Sequence, residues 1–340
     1  MKWPVFPESS ACLAKKHLSF EVFKTLDGLA TDSGYTLEKA VRSGIENHDS
    51  SMGIYAGDAE SYEIFSLIFH PVIREYHNLA ENENHISDFR ATSLPDPDPE
   101  NRYIVSTRIR IARNIAGFNF TPHISLRQRS RLEKTIVRAF EALKDEFNPR
   151  YFSFEKARPD ILHELAGQGL TFRKGDRFQD AAGINSDFPA CRGVLLSEDR
   201  RLRIWVNEED HLRIISQENT SDISGAFNRL ARAYSLLDGR LEFATHRKYG
   251  NLASCPTNIG TAMRAGVHIK LEKLAQSPHV LKNIARLHQL QIRGTSGEKT
   301  KIENSVFDIS NKRRLGVPET RIIKGLYHGL VDIIKTEKII

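Results

Sequence analysis

The chain changes its hydrophobic rhythm on either side of a proline-rich stretch, Ala91 to Asn101. Upstream, Val22, Leu26 and Leu29 fall at helical spacing after Ser19, and Tyr62, Phe65, Leu67, Ile68 and Val72 continue a loop-poor apolar pattern toward Tyr76. Downstream, a period of two is prominent. Val105, Thr107, Ile109 and Ile111 share one side of a predicted strand while Ser106, Arg108 and Arg110 share the other, so two guanidinium groups project together. Leu202, Ile204 and Val206 alternate with Arg201, Arg203 and Trp205, and Leu212 to Ser216 follows after a polar bend; two neighbouring strands around Glu208 to His211 are expected. Val267, Ile269 and Leu271 alternate with His268 and Lys270, and Arg264 has the parity of His268. Between these strands, Ser125 followed by Gln128 has the form of a capping box, and Leu132, Ile136, Phe140 and Leu143 supply the buried stripe of a long helix.

The segment ATSLPDPDPEN strings three prolines among acids and can hold neither a helix nor a central strand, so it reads as a linker. This gives residues 1–90 as a helical domain, 91–101 as the linker and 102–340 as a larger domain. Strands and helices in the larger part are interspersed without a βαβ rhythm. The expected class is therefore α+β, a small all-α N-terminal domain followed by an antiparallel sheet flanked by helices. A chain of 340 residues with 40% hydrophobic content can bury the cores this requires.

Charge narrows the function classes. The 49 basic residues face 43 acidic ones in a dispersed pattern, which suits discrete anions better than a nucleic-acid backbone. Cys12, Cys191 and Cys255 are odd in number and far apart, which argues for free thiols in a reducing compartment. The start MKWPVFPESS lacks an apolar signal core and no run approaches bilayer length, so cytoplasm, with no membrane partner, is the expected setting.

The candidate chemistry lies in a few short runs. CPTNIGT, Cys255 to Thr261, presents a thiol from a proline-constrained turn, and Gly260 permits a sharp bend or a close backbone approach. Arg108, Arg110, Arg213, Arg264 and Arg293 each lie in or beside a strand-like run; singly, each would most simply be a surface or salt-bridge arginine. Glu208, Glu209 and Asp210, singly, read as an exposed acidic turn, and Cys255 as a small buried hydrophobe. The segment Arg293 to Ser305 is rich in small and polar residues, as expected of a loop that closes over a site. Its GTSGEKT resembles the end of a Walker A loop, but Glu298 interrupts the required GK pair, so a P-loop is rejected.

Five runs, STRIR (Ser106 to Arg110), NEEDHLRIIS (Asn207 to Ser216), CPTNIGT, RGTSGE (Arg293 to Glu298) and DISNKRRLG (Asp308 to Gly316), resemble in order the signature blocks of the phosphagen (guanidino) kinases. The similarity runs from about Phe20 to the end of the sequence. It implies reversible transfer of the γ-phosphoryl group from MgATP to a guanidino acceptor, with Mg2+ held by nucleotide phosphates and water rather than by a carboxylate cage. It further implies that Ser106, Thr107, Arg108, Ile109, Arg110, Arg213, Arg264, Arg293 and Glu298 bind ATP or ADP, with His268 against the nucleoside. Glu209 and Glu298 are implied to grip and aim the guanidinium, which stays protonated at ordinary pH. Cys255 is implied to contact and tune the same substrate without a covalent intermediate, and nearby arginines are expected to favour its thiolate.

The stretch SSMGIYAGDAESY is short and glycine-containing, resembling the specificity loop of members that use arginine, and Tyr76 matches a tyrosine common in them. Backbone groups from Ser51, Met52, Gly53, Ile54 and Tyr55, with hydroxyls of Ser50 and Tyr55, are implied to receive the amino-acid end of L-arginine. Gly57 in place of a usual proline, Gly169 in place of a histidine common beside the nucleotide, and Ser296 and Lys299 in the lid depart from that pattern. Taurocyamine, glycocyamine or creatine stand as alternative acceptors, protein arginine side chains as a more remote one. A cysteine-dependent guanidine hydrolase or amidinotransferase is the alternative chemistry. The expected assembly is a monomer or homodimer.

Overall fold

The computed structural model describes residues 3–294 and 304–340. Its first part is helical: α1 (Leu13–His17), α2 (Phe20–Leu26), α3 (Leu37–Glu46), α4 (Ser61–Ile64) and α5 (Ser66–His77). Ser19 and Thr36 start α2 and α3 because their hydroxyls accept from the exposed N–H groups of Val22 and Lys39. Tyr62, Phe65, Ile68, Phe69, Val72 and Ile73 form the buried stripe. Leu29 and Leu67, expected to join the apolar pattern, are exposed; Leu67 lies about 100° from Ile68 on α5, on its outer side.

Residues 78–103 form no regular helix or strand. They are nonetheless tied down. Thr92 exchanges two hydrogen bonds with the side chain of Asn228, Leu94 N–H donates to Ser224 Oγ at 2.9 Å, and Asp88 N–H donates to the buried carboxylate of Glu319 at 2.7 Å. Asp98 ends the strap by accepting from the N–H groups of Arg102, Tyr103 and Ile104.

The rest is built on one large sheet. Its strands are β1 (Ile104–Arg113), β2 (Arg150–Ser153), β3 (Gly193–Leu196), β4 (Leu202–Val206), β5 (Leu212–Glu218), β8 (Met263–Lys270), β9 (Leu290–Arg293) and β10 (Val306–Asn311), in the order β2-β3-β4-β5-β1-β8-β10-β9. Every described pairing in it is antiparallel. A two-stranded sheet, β6 (Thr245–His246) with β7 (Gly250–Asn251), stands apart. The helices are α6 (Leu126–Ala139), α7 (Lys144–Phe147), α8 (Pro159–Gly167), α9 (Arg177–Ala181), α10 (Ile223–Asp238), α11 (Pro278–Leu287) and α12 (Glu319–Ile339).

Alternation gives the sheet two unlike faces. Ile109, Ile111, Ile204, Ile214, Ala265, Val267 and Ile309 join Leu132 and Ile136 of α6, Phe227 and Leu230 of α10, and Leu326 and Leu330 of α12 in the main core. The opposite face carries the arginines. One expectation fails at the start of β1: Val105 is exposed and Ile104 buried, because the pairing with β8 slips between Ile104 and Ser106 and resets the alternation. Ser125 caps α6 through Gln128 N–H, but the stripe ends in a 3-10 turn, Phe140–Leu143, rather than in continuous helix.

A second core joins the helical part to later residues. Tyr35, Tyr62, Phe65 and Phe69 cluster with Phe120, Tyr249, Leu252, Cys255, Ile259 and Leu315. The tie is also polar, since Tyr62 Oη donates to the Ala253 carbonyl at 2.7 Å and Ala56 N–H to that of Ser254 at 2.8 Å. The packing that orders the first five helices therefore fixes the run leading into Cys255.

Candidate active site

Cross-strand register sets the polar face. Arg110 lies opposite Arg264, Ser106 opposite His268, Trp205 opposite Arg213, and Asp308 opposite both His268 and Arg293. Ser106, Arg108, Arg110, Arg203, Arg264 and His268 are among the residues lining a cavity of about 290 Å3. The guanidinium carbons of Arg108 and Arg213 each lie 5.7 Å from the ring centre of Trp205. Like charges at this density oppose one another. Burial, then the neighbouring Arg203, Arg213 and Arg264, pull Arg108 down to about 9, and burial with Arg213 and Arg108 pulls Arg110 well below the arginine range. Arg108 Nε is buried without a hydrogen-bond partner among the described residues. Such a face gains most from a ligand that brings several negative charges.

Arg264 is partly answered already, its Nη2 lying 2.6 Å from Asp308 Oδ2. Arg293 donates to Gln291 Oε1 at 3.0 Å and its charge bears on Arg264.

The β4–β5 hairpin turns at Asn207, which has a left-handed φ of 58° and is held by bonds to His211 O and Cys191 O. This places Glu208 and Glu209 so that each has a carboxylate oxygen 2.9 Å from Arg213 Nη2. Only 13% of the Glu209 side chain is exposed. Burial pushes its carboxyl up to about 7, with Arg213 opposing and the charges of Asp210 and Glu208 adding. Asp210 is pinned beneath by Ser254 N–H and Asn114 Nδ2, both at 2.7 Å.

The turn carrying Cys255 is braced from three sides. Asn258 Nδ2 reaches Glu209 Oε2 at 3.3 Å, Arg314 Nη1 donates to Thr257 O and Asn258 Oδ1 at 2.9 and 2.8 Å, and His77 Nε2 is 2.8 Å from Pro256 O. Gly260 has φ 88°, and a Cβ there would lie 2.5 Å from Arg314 O, so the close approach expected of it is present. Cys255 Sγ is 3.2 Å from Thr257 Oγ1. The expectation that arginines hold this thiol as a thiolate is corrected here. Burial pushes the thiol up to about 12 and the nearby Glu209 charge adds to it, so the group is protonated at neutral pH.

The loop Ser50 to Tyr55 reaches this turn from the helical side. Ser51 O and Met52 O accept from Leu13 and Ala14 N–H at the start of α1, Tyr55 N–H donates to Ala40 O, and Ser50 Oγ accepts from Gly53 N–H at 3.0 Å. Those groups are committed to the loop. Among the described residues the N–H groups of Ser51, Met52 and Ile54 have no such partner. The Met52 and Ile54 side chains are buried in the second core. Gly53 is required: with φ 74°, a Cβ there would meet Cys12 Sγ at 2.6 Å. Tyr55 lies near enough that Cys255 and Glu209 both raise its hydroxyl, after burial itself.

Gly57 has a packing reason. Its N–H donates to Ser61 Oγ at 3.2 Å and the Tyr35 ring fills the place of a Cβ, so proline would lose the bond and collide. Gly169 lines the cavity, consistent with a place beside the ligand. Thr107 and Ile109 point into the opposite layer; their side chains are buried and only their backbone is near the site. Glu298, Ser296 and Lys299 lie outside the described residues. Asp308, Asn258, Arg314 and Arg203 also lie at this candidate site, without being singled out by the sequence. Asp308 and Arg314 stand in the run DISNKRRLG, Asn258 stands in CPTNIGT, and Arg203 shares the parity of Trp205.

Among the described residues no group of three or more His, Cys, Asp or Glu side chains is placed to hold a metal, and no helix is long and apolar enough to cross a membrane. All three cysteines are free and buried.

Residues 8–74 match the family described as ATP:guanido phosphotransferase, N-terminal domain, and residues 131–340 match its C-terminal catalytic domain. The chain is 39% identical to arginine kinase of Penaeus japonicus over 329 residues, 96% of this chain and 93% of the relative. Arginine kinase of Artemia franciscana is likewise 39% identical, covering 96% and 92%. A lombricine kinase structure superimposes with a TM-score of 0.91 at 30% identity, covering 98% of this chain and 94% of that one. The duplicated taurocyamine kinase of Schistosoma mansoni gives 0.91 at 31% identity, covering 98% of this chain and 48% of its own.

Proposed function

Because the chain belongs to the ATP:guanido phosphotransferase family, and is a phosphagen kinase, we propose that it transfers the γ-phosphoryl group of MgATP reversibly to L-arginine, giving phosphoarginine and MgADP. The observation that carries this is Arg213. One guanidinium belongs to the cationic face and also holds Glu208 and Glu209, so an anion on that face and a cation at Glu209 would meet across it.

In this reading Arg108, Arg110, Arg213, Arg264 and Arg293 receive the phosphates, and His268 beside Ser106 receives the nucleoside. Phosphoryl transfer through a loose transition state asks mainly for alignment and charge neutralisation, which fixed guanidinium forks supply. Bound Mg2+ would supply further neutralisation of the transferring group; since no carboxylate cluster among the described residues is placed to hold it, nucleotide oxygens and water are assigned as its ligands. Glu209 grips the guanidinium, aims one nitrogen at the γ-phosphorus and accepts the proton lost as the N–P bond forms. A carboxyl poised near neutrality suits that exchange. Glu298 is assigned the second grip. Cys255, as a neutral thiol in the free protein, contacts the substrate's nitrogen, and a bound guanidinium would draw it toward thiolate. The free N–H groups of Ser51, Met52 and Ile54 suit an α-carboxylate, and Tyr55 adds a hydroxyl. Free thiols accord with a reducing, cytoplasmic setting.

The hydrolase alternative is disfavoured because His77, a histidine of α5 that reaches the Cys255 turn, is bonded to Pro256 O. A coupled ADP-release assay across arginine, lombricine, taurocyamine, glycocyamine and creatine tests the acceptor. Arginine is expected to give the highest kcat/KM; preference for another compound would overturn the assignment of substrate.

A further inference from the structure

We propose that Arg203 is an additional phosphate-binding cation of this site, an inference that rests on the reading of the cavity as the nucleotide's. Arg203 stands in one row across the sheet with Ile215, Arg110 and Arg264, and it lines the same cavity as Arg108, Arg110 and Arg264. The residue is 5% exposed. Nη1 donates to Gly169 O at 3.1 Å, Nη2 donates to Gln217 Oε1, and Nε is buried with no hydrogen-bond partner among the described residues.

Both of its partners are neutral. Among the described residues no carboxylate pairs with Arg203, whereas Arg264 has Asp308 and Arg213 has Glu208 and Glu209. A buried cation without a counter-charge is strongly unfavourable, and it persists most readily where a ligand brings the missing charge. Arg203 is also the first of the guanidinium groups whose charge opposes that of Arg108, so the two can share one anionic group. A phosphoryl oxygen fits this demand better than a base or ribose, because the unmet need is for charge and because guanidinium donors match phosphate geometry.

The position of Gly169 explains why the extra cation is tolerated. Its φ is 67°, a Cβ there would meet nothing within 4 Å, and its carbonyl is turned to Arg203. The space a side chain at 169 would take is open, and Arg203 supplies a donor at that border of the cavity.

Calorimetric titration of ADP, and separately of inorganic pyrophosphate, into the full-length protein tests this. Arg203→Leu, and Arg203→Gln as a polar but uncharged alternative should leucine not be accommodated, are each expected to weaken both ligands about tenfold, while the guanidino KM stays at its wild-type value. Unchanged affinity for both ligands, or a loss for ADP with none for pyrophosphate, would overturn the assignment. A wild-type protein that binds neither ligand would overturn the nucleotide reading and this inference with it.

Discussion

Glu209 concentrates the conflict between stability and chemistry. A carboxyl whose pKa is raised in the folded state favours that state only while protonated, so its contribution is present below the ordinary value of 4.5 and is lost as pH rises through about 7. Glu209→Gln removes this cost. The variant should melt at a higher temperature than wild type at pH 8, with the difference shrinking toward pH 5, and should lose turnover by a factor of about 10² or more. Wild-type kcat/KM for the guanidino substrate should fall as pH drops below about 7, since that ratio reports the free enzyme's acid limb. Arg264→Ala should abolish turnover with the fold intact, read by activity against circular dichroism. A variant of either residue with near-normal rates would remove it from the mechanism. The sequence made Glu209, Cys255 and the arginines legible through motif form, but not the protonation state of Cys255. That depends on burial between chain segments far apart in sequence, which no local pattern reports.

Elements carry the site by register. The alternation that puts Ile109 and Ile111 inward puts Arg108 and Arg110 outward, so burial of the apolar set holds the cationic set in place. Ile109→Ala should cost about 2–5 kcal/mol, measured by denaturant unfolding, with nucleotide affinity nearly kept if the register survives. At the Cys255 turn, Gly260→Ala must strain a left-handed backbone against Arg314 O, and a loss of at least about 1 kcal/mol with a raised guanidino KM is expected. Strand β1 from Ser106 onward, β4, β8 and the α6 cap are readable because each has a period or a cap of its own, and β5 because it follows a polar bend. The slip at Val105 is not, since a bulge is set by the partner strand. The linker's lack of helix was legible from its prolines, but not its anchoring by Asn228, Ser224 and Glu319, which arrive from α10 and α12.

The whole molecule ties its helical part to the catalytic turn through a shared core and the bond from His77 to Pro256 O, and it buries several neutral histidines. Burial holds His77 and His85 down to about 4 and His211 to about 3. In the unfolded chain each titrates near 6.5, so neutral histidine is compatible with folding above that value and becomes a growing liability as pH falls toward 4. Thermal melts should therefore show stability falling between pH 6.5 and 4, and His77→Gln should flatten part of that slope. Because His77 also holds Pro256 O, the same variant should raise the guanidino KM more than that of ATP.

Phosphorus NMR of the protein with MgATP and L-arginine tests most directly whether the arginine face and Glu209 act on one pair of reactants. The account predicts a new phosphoramidate resonance growing in step with ADP, and its absence for folded Glu209→Gln. ADP accompanied only by inorganic phosphate, or an arginine-derived product formed without ATP, would contradict it.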